Sequence, residues 1–264
     1  MKPYIGITDF ETYEQVKQTL NIFTELSAGK NPRDLMVGVM MSYKTLKGME
    51  TKWTKAWPPK EKVGEIFIHS YPALPVLNTL HYADYDGLTT KNDLCDALLF
   101  ADSKNGLDAV QLDMPWPDKD MVVEAIEMFH HKQFRKLRTV LQVGKVAIAA
   151  CDNDRDKVIN KIGSYHGAFD WVLLDLSGGK GIPLDANLLL GYLSEMKNRY
   201  PYISLAVAGG LGPDTMHLIK PIIEQFPDIS IDAQGKLRPS GSALDPIDWS
   251  LAEKYLRESF ALFP

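Results

Sequence analysis

Ser204-Leu-Ala-Val-Ala-Gly-Gly-Leu-Gly-Pro-Asp-Thr215 is followed by Ile229-Ser-Ile-Asp-Ala-Gln-Gly-Lys-Leu-Arg238, and this pair decides how the chain is read. Each is a short apolar run that reaches glycine and then leads toward a segment of helical composition. A strand ending in Gly-Gly brings backbone N–H groups close to an anion without side-chain obstruction, and a following helix N-terminus favours negative charge there. In a (β/α)8 barrel the phosphate commonly sits between the loops after strands seven and eight. The expectation therefore requires six earlier strand–helix units.

Six can be found. Tyr4 to Thr8 reads as a buried strand and Glu11 to Leu26 as its helix. Leu35 to Ser42 is the second strand; a polar loop runs to Trp57, and Pro58-Pro59 starts a helix over Lys60 to Ile68. The third strand is placed at Val76 to Ala83 with its helix at Lys91 to Ala101, and the fourth at Leu107 to Asp113, closed by Pro-Trp-Pro, with a helix from Lys119 to Phe134. Thr139 to Val143 and Val146 to Ala150 compete for strand five, ahead of a helix at Arg155 to Tyr165. Asp170 to Asp175 is strand six, followed by a glycine loop and a helix at Ala186 to Tyr200. Leu205 to Ala208 with Met216 to Phe226, then Ile229 to Ala233 with Trp249 to Phe260, complete eight alternations. Eight such units favour a single-domain α/β chain folded as one parallel barrel. An open doubly wound sheet would usually carry its phosphate loop after the first strand, where Gly6-Ile-Thr-Asp9 has no glycine fingerprint.

Composition narrows the partners. The 264 residues are 45% hydrophobic and 24% charged with a net charge of −5. That balance supports a sizeable core and argues against nucleic acid as the main partner. Cys95 and Cys151 form neither a metal spacing nor a disulfide framework. No apolar run has bilayer length, and the N-terminus shows no secretory pattern, so a cytoplasmic protein without membrane attachment is expected, acting on a small phosphorylated metabolite without a cofactor.

Gly6-Ile-Thr, Val110-Gln-Leu, Leu173-Leu-Asp175 followed by Gly178-Gly-Lys-Gly181 and Asp185, Ala208-Gly-Gly-Leu-Gly-Pro213, and Asp232 with Gly235 occur in the order seen in the phosphoribosylanthranilate isomerase family, which the chain resembles over nearly its whole length. The resemblance implies a barrel enzyme of tryptophan biosynthesis that carries out an Amadori rearrangement of an aminoaldose phosphate, using a general acid and a general base. It implies Asp175 as the acid, a role that requires partial burial or neighbouring carboxylates to keep it protonated. It implies phosphate binding at Gly209, Gly210, Gln234 and Gly235, while Gly178, Gly179, Lys180 and Gly181 after strand six form either a flap over the ligand or a turn-rich connection.

The chain also departs from that family. The family's base is a Cys immediately before Gly-Ile-Thr, where this chain has Ile5, which cannot accept a proton. The family's Gln-Leu-His on strand four is Gln111-Leu112-Asp113. Strand periodicity puts Gln111 and Asp113 on one face, so a lumenal Gln111 brings a replacement carboxylate with it. The family's carboxylate-binding arginine after strand two has no counterpart, and Lys44 or Lys47 are the candidates to take its place, without arginine's planar fork.

Other polar residues offer alternatives. His81 on strand three is a reserve acid or base. Lys236 and Arg238 are candidate phosphate ligands or solvated surface. Asp9, Asp84, Asp113, Asp175 and Asp232 all fall near strand ends, where they either cap loops or gather a divalent metal; the metal-free site is preferred. Trp53, Trp57 and Trp116 either wall a substrate pocket or pack loops onto the barrel. Three functions follow: an isomerase of the resembled type whose base has moved to Asp113, a different phosphosugar isomerase, epimerase or lyase, or a phosphate-ligand binder without catalysis.

Overall fold

The computed structural model describes residues 1–30, 32–69, 74–176, 184–242 and 244–263. Eight parallel strands close into one barrel in sequence order. They are β1 (Tyr4–Thr8), β2 (Asp34–Ser42), β3 (Val76–Ala83), β4 (Ala109–Asp113), β5 (Arg138–Gly144), β6 (Trp171–Asp175), β7 (Ser204–Ala208) and β8 (Ser230–Ala233). Closure is made by β1 and β8, with Gly6 opposite Asp232. The helices are α1 (Tyr13–Ser27), α2 (Tyr43–Leu46), α3 (Lys60–Ile66), α4 (Lys91–Ala101), α5 (Lys119–Gln133), α6 (Lys145–Ala149), α7 (Arg155–Ser164), α8 (Ala186–Arg199), α9 (Lys220–Gln225) and α10 (Trp249–Leu262).

Side-chain alternation divides the barrel into two cores. Tyr4, Met36, Leu77, Ala109, Val140, Trp171, Leu173 and Ala206 fill the lower lumen. Ile5, Ile7, Leu35, Val37 and Val39 face the other way, into the apolar layer between strands and helices. Parallel strands are buried on both faces, so their sequences run apolar without a visible phase. The upper lumen is polar, and because strand residues two apart share a face, β3, β4 and β6 deliver His81, Asp113 and Asp175 there.

Side-chain caps mark where the loops give way to helices. Thr12 and Gln15 form a reciprocal capping box at α1, Thr90 and Asp93 another at α4. Asp118, Asp154, Asp185 and Asp248 each cap a helix with the carboxylate. Such caps satisfy amides that have no intrahelical acceptor.

Two sequence expectations need correcting. Val146 to Ala150 is not strand five: Arg138–Gly144 pairs with both neighbours, and the chain turns at Gly144 into the short helix α6. That helix buries Ala147 and Ile148 and leaves Val146 exposed, a helical rather than alternating pattern. The helix expected over Met216 to Phe226 is a 3-10 turn at Pro213–Ile219 followed by α9. Pro221 stands in the first turn of α9, where a residue without an N–H is tolerated.

Candidate functional site

The C-terminal ends of the strands surround a cleft of about 660 Å³ that reaches from Trp53 and Trp57 down to Asp113, Gln142 and Asp175. A smaller recess of about 50 Å³ adjoins it, bounded by Gly209, Gly210, Gln234, Gly235 and Lys236. His81, Gln142, Asp175 and Gln234 line both. The two cavities therefore share a floor.

The recess is built from backbone. Gly209 and Gly210 have φ values of 102° and 68°, which side-chain-bearing residues rarely adopt. They turn the chain immediately after β7. Gly235 opens a one-turn 3-10 segment after β8, so its amide and that of Lys236 precede any intrahelical acceptor. Among the described residues, no turn or loop carbonyl accepts a hydrogen bond from the amides of Gly210, Gly235 or Lys236. Converging unpaired amides of this kind form a nest for an anion. The two loops touch, since a Cβ on Gly212 would come within 2.6 Å of Lys236 Cβ.

Arg238 does not contribute its charge to the recess. It is buried, ion-paired with Asp9, and donates to the carbonyls of Asp245 (2.6 Å) and Gln234 (2.8 Å). Gln234 Nε2 donates to the same Asp9 oxygen at 2.8 Å. Arg238 thus fastens the β8 loop to the end of β1, neither ligating a phosphate nor lying on the surface.

The candidate acid and base residues lie across the shared floor. His81 and Gln111 face each other across the β3–β4 ladder. Gln111 Nε2 lies 3.3 Å from His81 Nδ1 and donates to Gln142 Oε1 at 2.8 Å. An amide donating to Nδ1 leaves the imidazole proton on Nε2. That nitrogen is buried, has no hydrogen-bond partner among the described residues, and stands 3.6 Å from Asp113 Oδ2. Burial lowers the proton affinity of His81, but Asp113, with Asp232 and Asp9 beyond it, outweighs burial and leaves the affinity raised. Asp113 Oδ2 also accepts from Tyr85 Oη at 2.6 Å.

Asp175 ends β6 with little exposure and lines both cavities. Asp232 lies deeper, accepting from Thr8 Oγ1 at 3.1 and 3.0 Å. Burial raises its pKa from 3.8 to about 6; His81 and the Thr8 hydroxyl oppose the rise, while Asp175 adds to it. Gly6 makes room for this carboxylate, because a Cβ there would come within 2.8 Å of Asp232 Oδ1 and 2.7 Å of Met36 Cε. A titrating carboxyl in the lumen was not singled out for catalysis from sequence. The available signal was its place opposite a glycine at barrel closure, which requires knowing the β1–β8 register.

The other candidates sort themselves by contact. Asp84 is a loop cap, accepting from the amides of Asp86, Gly87, Leu88 and Thr89 and from the Thr89 hydroxyl. With Asp84 and Asp9 so committed, and no three His, Cys, Asp or Glu side chains placed to hold a metal among the described residues, the strand-end aspartates do not assemble as one ligand set. Lys44 lines the cleft but pairs with Asp86 at 2.7 Å. Lys47 pairs with Asp93 at the start of α4. Trp53 and Trp57 stack in parallel, 4.8 Å apart, as one wall of the cleft. Trp116 packs instead, donating to the Ala147 carbonyl at 2.7 Å and stacking on Tyr165.

Ile5 is fully buried in the strand–helix layer. Position 5 lacks a base and also points away from the lumen, so a cysteine there would not meet a ligand. Gly178, Gly179, Lys180 and Gly181 lie outside the described residues.

No protein-family model matches the sequence, and no curated protein does. Solved structures do resemble the fold. Phosphoribosyl anthranilate isomerase from Thermococcus kodakaraensis superposes with a TM-score of 0.57 at 13% identity, over 97% of this chain and 98% of that one. Active domain 2 of a thermostable chitinase from Pyrococcus furiosus gives 0.54 at 11% identity, over 99% and 96%. A GH128 endo-β-1,3-glucanase from Amycolatopsis mediterranei gives 0.51 at 9% identity, over 98% and 99%. Isomerase and glycosidases alike share the barrel, so likeness at these identities establishes the fold and leaves activity to the site.

Proposed function

We propose that this chain is an acid–base enzyme of a small phosphorylated sugar, of the aldose–ketose or Amadori isomerase class. The observation that carries the proposal is the set of amides at Gly210, Gly235 and Lys236 with no turn or loop acceptor among the described residues, opening onto a floor that the recess shares with the larger cleft. A phosphate held in that nest places the attached sugar over His81, Gln142 and Asp175. Asp175 then serves as the proton donor to a ring or carbonyl oxygen. Asp113, with His81 beside it, takes the proton from the adjacent carbon. Closely spaced carboxyl and imidazole groups are suited to such transfers, which typically contribute 10²–10⁴-fold to rate.

Two observations favour a phosphosugar other than phosphoribosylanthranilate. Ile5 faces the helices rather than the lumen, and Lys44 and Lys47 are both engaged by aspartates. The stacked Trp53 and Trp57 wall accommodates a flat group beyond the sugar, so phosphoribosylanthranilate is still the first substrate to test. It is fluorescent and its rearranged product is not. Catalysed decay of that fluorescence, lost in Asp175→Asn, identifies the isomerase. Tight binding of inorganic phosphate without such decay directs the search to other aldose and ketose phosphates. Binding without turnover of any of them makes the chain a non-catalytic binder, and failure to bind inorganic phosphate refutes the anion site itself.

A further inference from the structure

We propose that Tyr85 is a positioning residue of this site: its hydroxyl holds Asp113 Oδ2 over the cleft floor and occupies the place that a ligand hydroxyl takes on binding. The proposal rests on the preceding reading of Asp113 and His81 as the proton-accepting pair.

Tyr85 is a tyrosine 60% exposed to solvent, yet its Oη is 2.6 Å from Asp113 Oδ2. The same oxygen stands 3.6 Å from His81 Nε2. One carboxylate oxygen therefore faces two potential donors, one on the barrel wall and one above the cleft. The ring is held on a tightly bonded turn. The Asp84 carboxylate gathers the amides of residues 86 to 89 at 2.7–3.1 Å, and Tyr82 Oη bonds Thr89 Oγ1 at 3.1 Å. Asp113 and Asp175 both lie near the phenol and, with burial of its tip, hold it in the neutral, donating form. A ligand hydroxyl approaching Asp113 from the cleft exchanges one O–H···O⁻ bond for another, so displacement costs little. Until then, Tyr85 keeps the carboxylate from turning wholly onto the imidazole.

The reporter is His81, which faces Gln111 and Asp113 on β4, Gln142 on β5, Asp175 on β6, Asp232 on β8 and Asp9 beyond β1. Its titration can be followed by the ¹⁵N shifts of the imidazole, with no substrate. Tyr85→Phe removes the competing donor and leaves Asp113 to His81 alone. The expected result is a rise in the His81 midpoint corresponding to roughly a 3- to 10-fold gain in proton affinity. Asp113→Asn should lower the midpoint, and in that background Tyr85→Phe should add nothing, as a double-mutant cycle requires of residues acting through one shared group. An unchanged midpoint in Tyr85→Phe, or the same change with and without Asp113, overturns the proposal. Where turnover is found, Tyr85→Phe should also change kcat more than inorganic-phosphate affinity, because the nest lies on the far side of the floor. A chain that turns over no phosphosugar fails the functional reading while the imidazole titration still decides the role of Tyr85.

Discussion

Replacing Asp232 by Asn should make the protein more resistant to unfolding at neutral pH and give almost no gain near pH 4. The carboxyl is buried in the lumen, and its pKa rises from 3.8 to about 6 on folding. A carboxyl whose folded pKa is raised holds its proton more tightly in the native state. Its stabilising contribution is complete below the unfolded value of 3.8 and is lost as pH rises through about 6, where the charge must be carried in a buried site. At 1.36 kcal/mol per pH unit the full span is about 3 kcal/mol, of which about 2 kcal/mol falls between pH 4 and 6.5. Asparagine cannot ionise, and its carbonyl can still accept from Thr8 Oγ1. Urea unfolding at half-unit intervals over that range should therefore show the variant gaining about 2 kcal/mol on the wild type, with an unchanged m-value. The range stops at pH 6.5 because His81, whose affinity for protons owes something to Asp232, begins to contribute above it. A stability difference independent of pH would refute the argument, since it would mean that Asp232 does not titrate in the folded protein over this window.

Gly210→Ala forces a side chain into φ 68°, which costs about 1–2 kcal/mol. It should also weaken inorganic phosphate binding at least tenfold by ³¹P line broadening; undiminished affinity would detach the nest from the anion. Arg238→Met leaves Asp9 buried without its cation. The expected loss is about 3–5 kcal/mol in urea, partly recovered on adding Asp9→Asn, and a loss below about 1 kcal/mol would show the pair to be dispensable. Ile5→Cys should give a thiol that a disulfide reagent modifies only on unfolding, with no change in turnover of any phosphosugar. Rapid modification of residue 5 in the native protein would show that β1 is phased the other way.

Much of the barrel could be read from sequence because its strands and helices are locally complete. Val76–Ala83 and Lys91–Ala101 have the expected bounds, the helix being marked by Thr90 and Asp93 and the strand by Val76, Leu77, Leu80 and Tyr82 among its polar residues. Strand five could not be decided because two short apolar runs flank Gly144, and only pairing to β4 and β6 separates them. The glycine pair after β7 announced a recess because its backbone geometry is a property of glycine itself. Arg238 read as a surface or phosphate-binding cation because its true partner, Asp9, lies at the other end of the chain. Tyr85 carried no signal beyond an aromatic in a polar turn, since its meaning depends on where Asp113 points.

The phase of β1 ties these observations together. Its lumenal positions are Tyr4, Gly6 and Thr8, and none of them supplies a carboxylate, an imidazole or a thiol. Thr8 gives its hydroxyl to Asp232, and Gly6 gives that same carboxylate its space. The first strand thus contributes room and one hydrogen bond, while the ionisable groups come from β3, β4, β6 and β8. In the proposed reading, a sugar anchored by phosphate at β7 and β8 extends over His81 and Asp175 toward Asp113, and the reacting carbon lies between β6 and β4. Proton transfer at that carbon needs nothing from position 5. In that reading a chain without a strand-one base keeps a proton acceptor in Asp113, provided that Asp113 is not committed wholly to His81, and the displaceable hydroxyl of Tyr85 meets that condition.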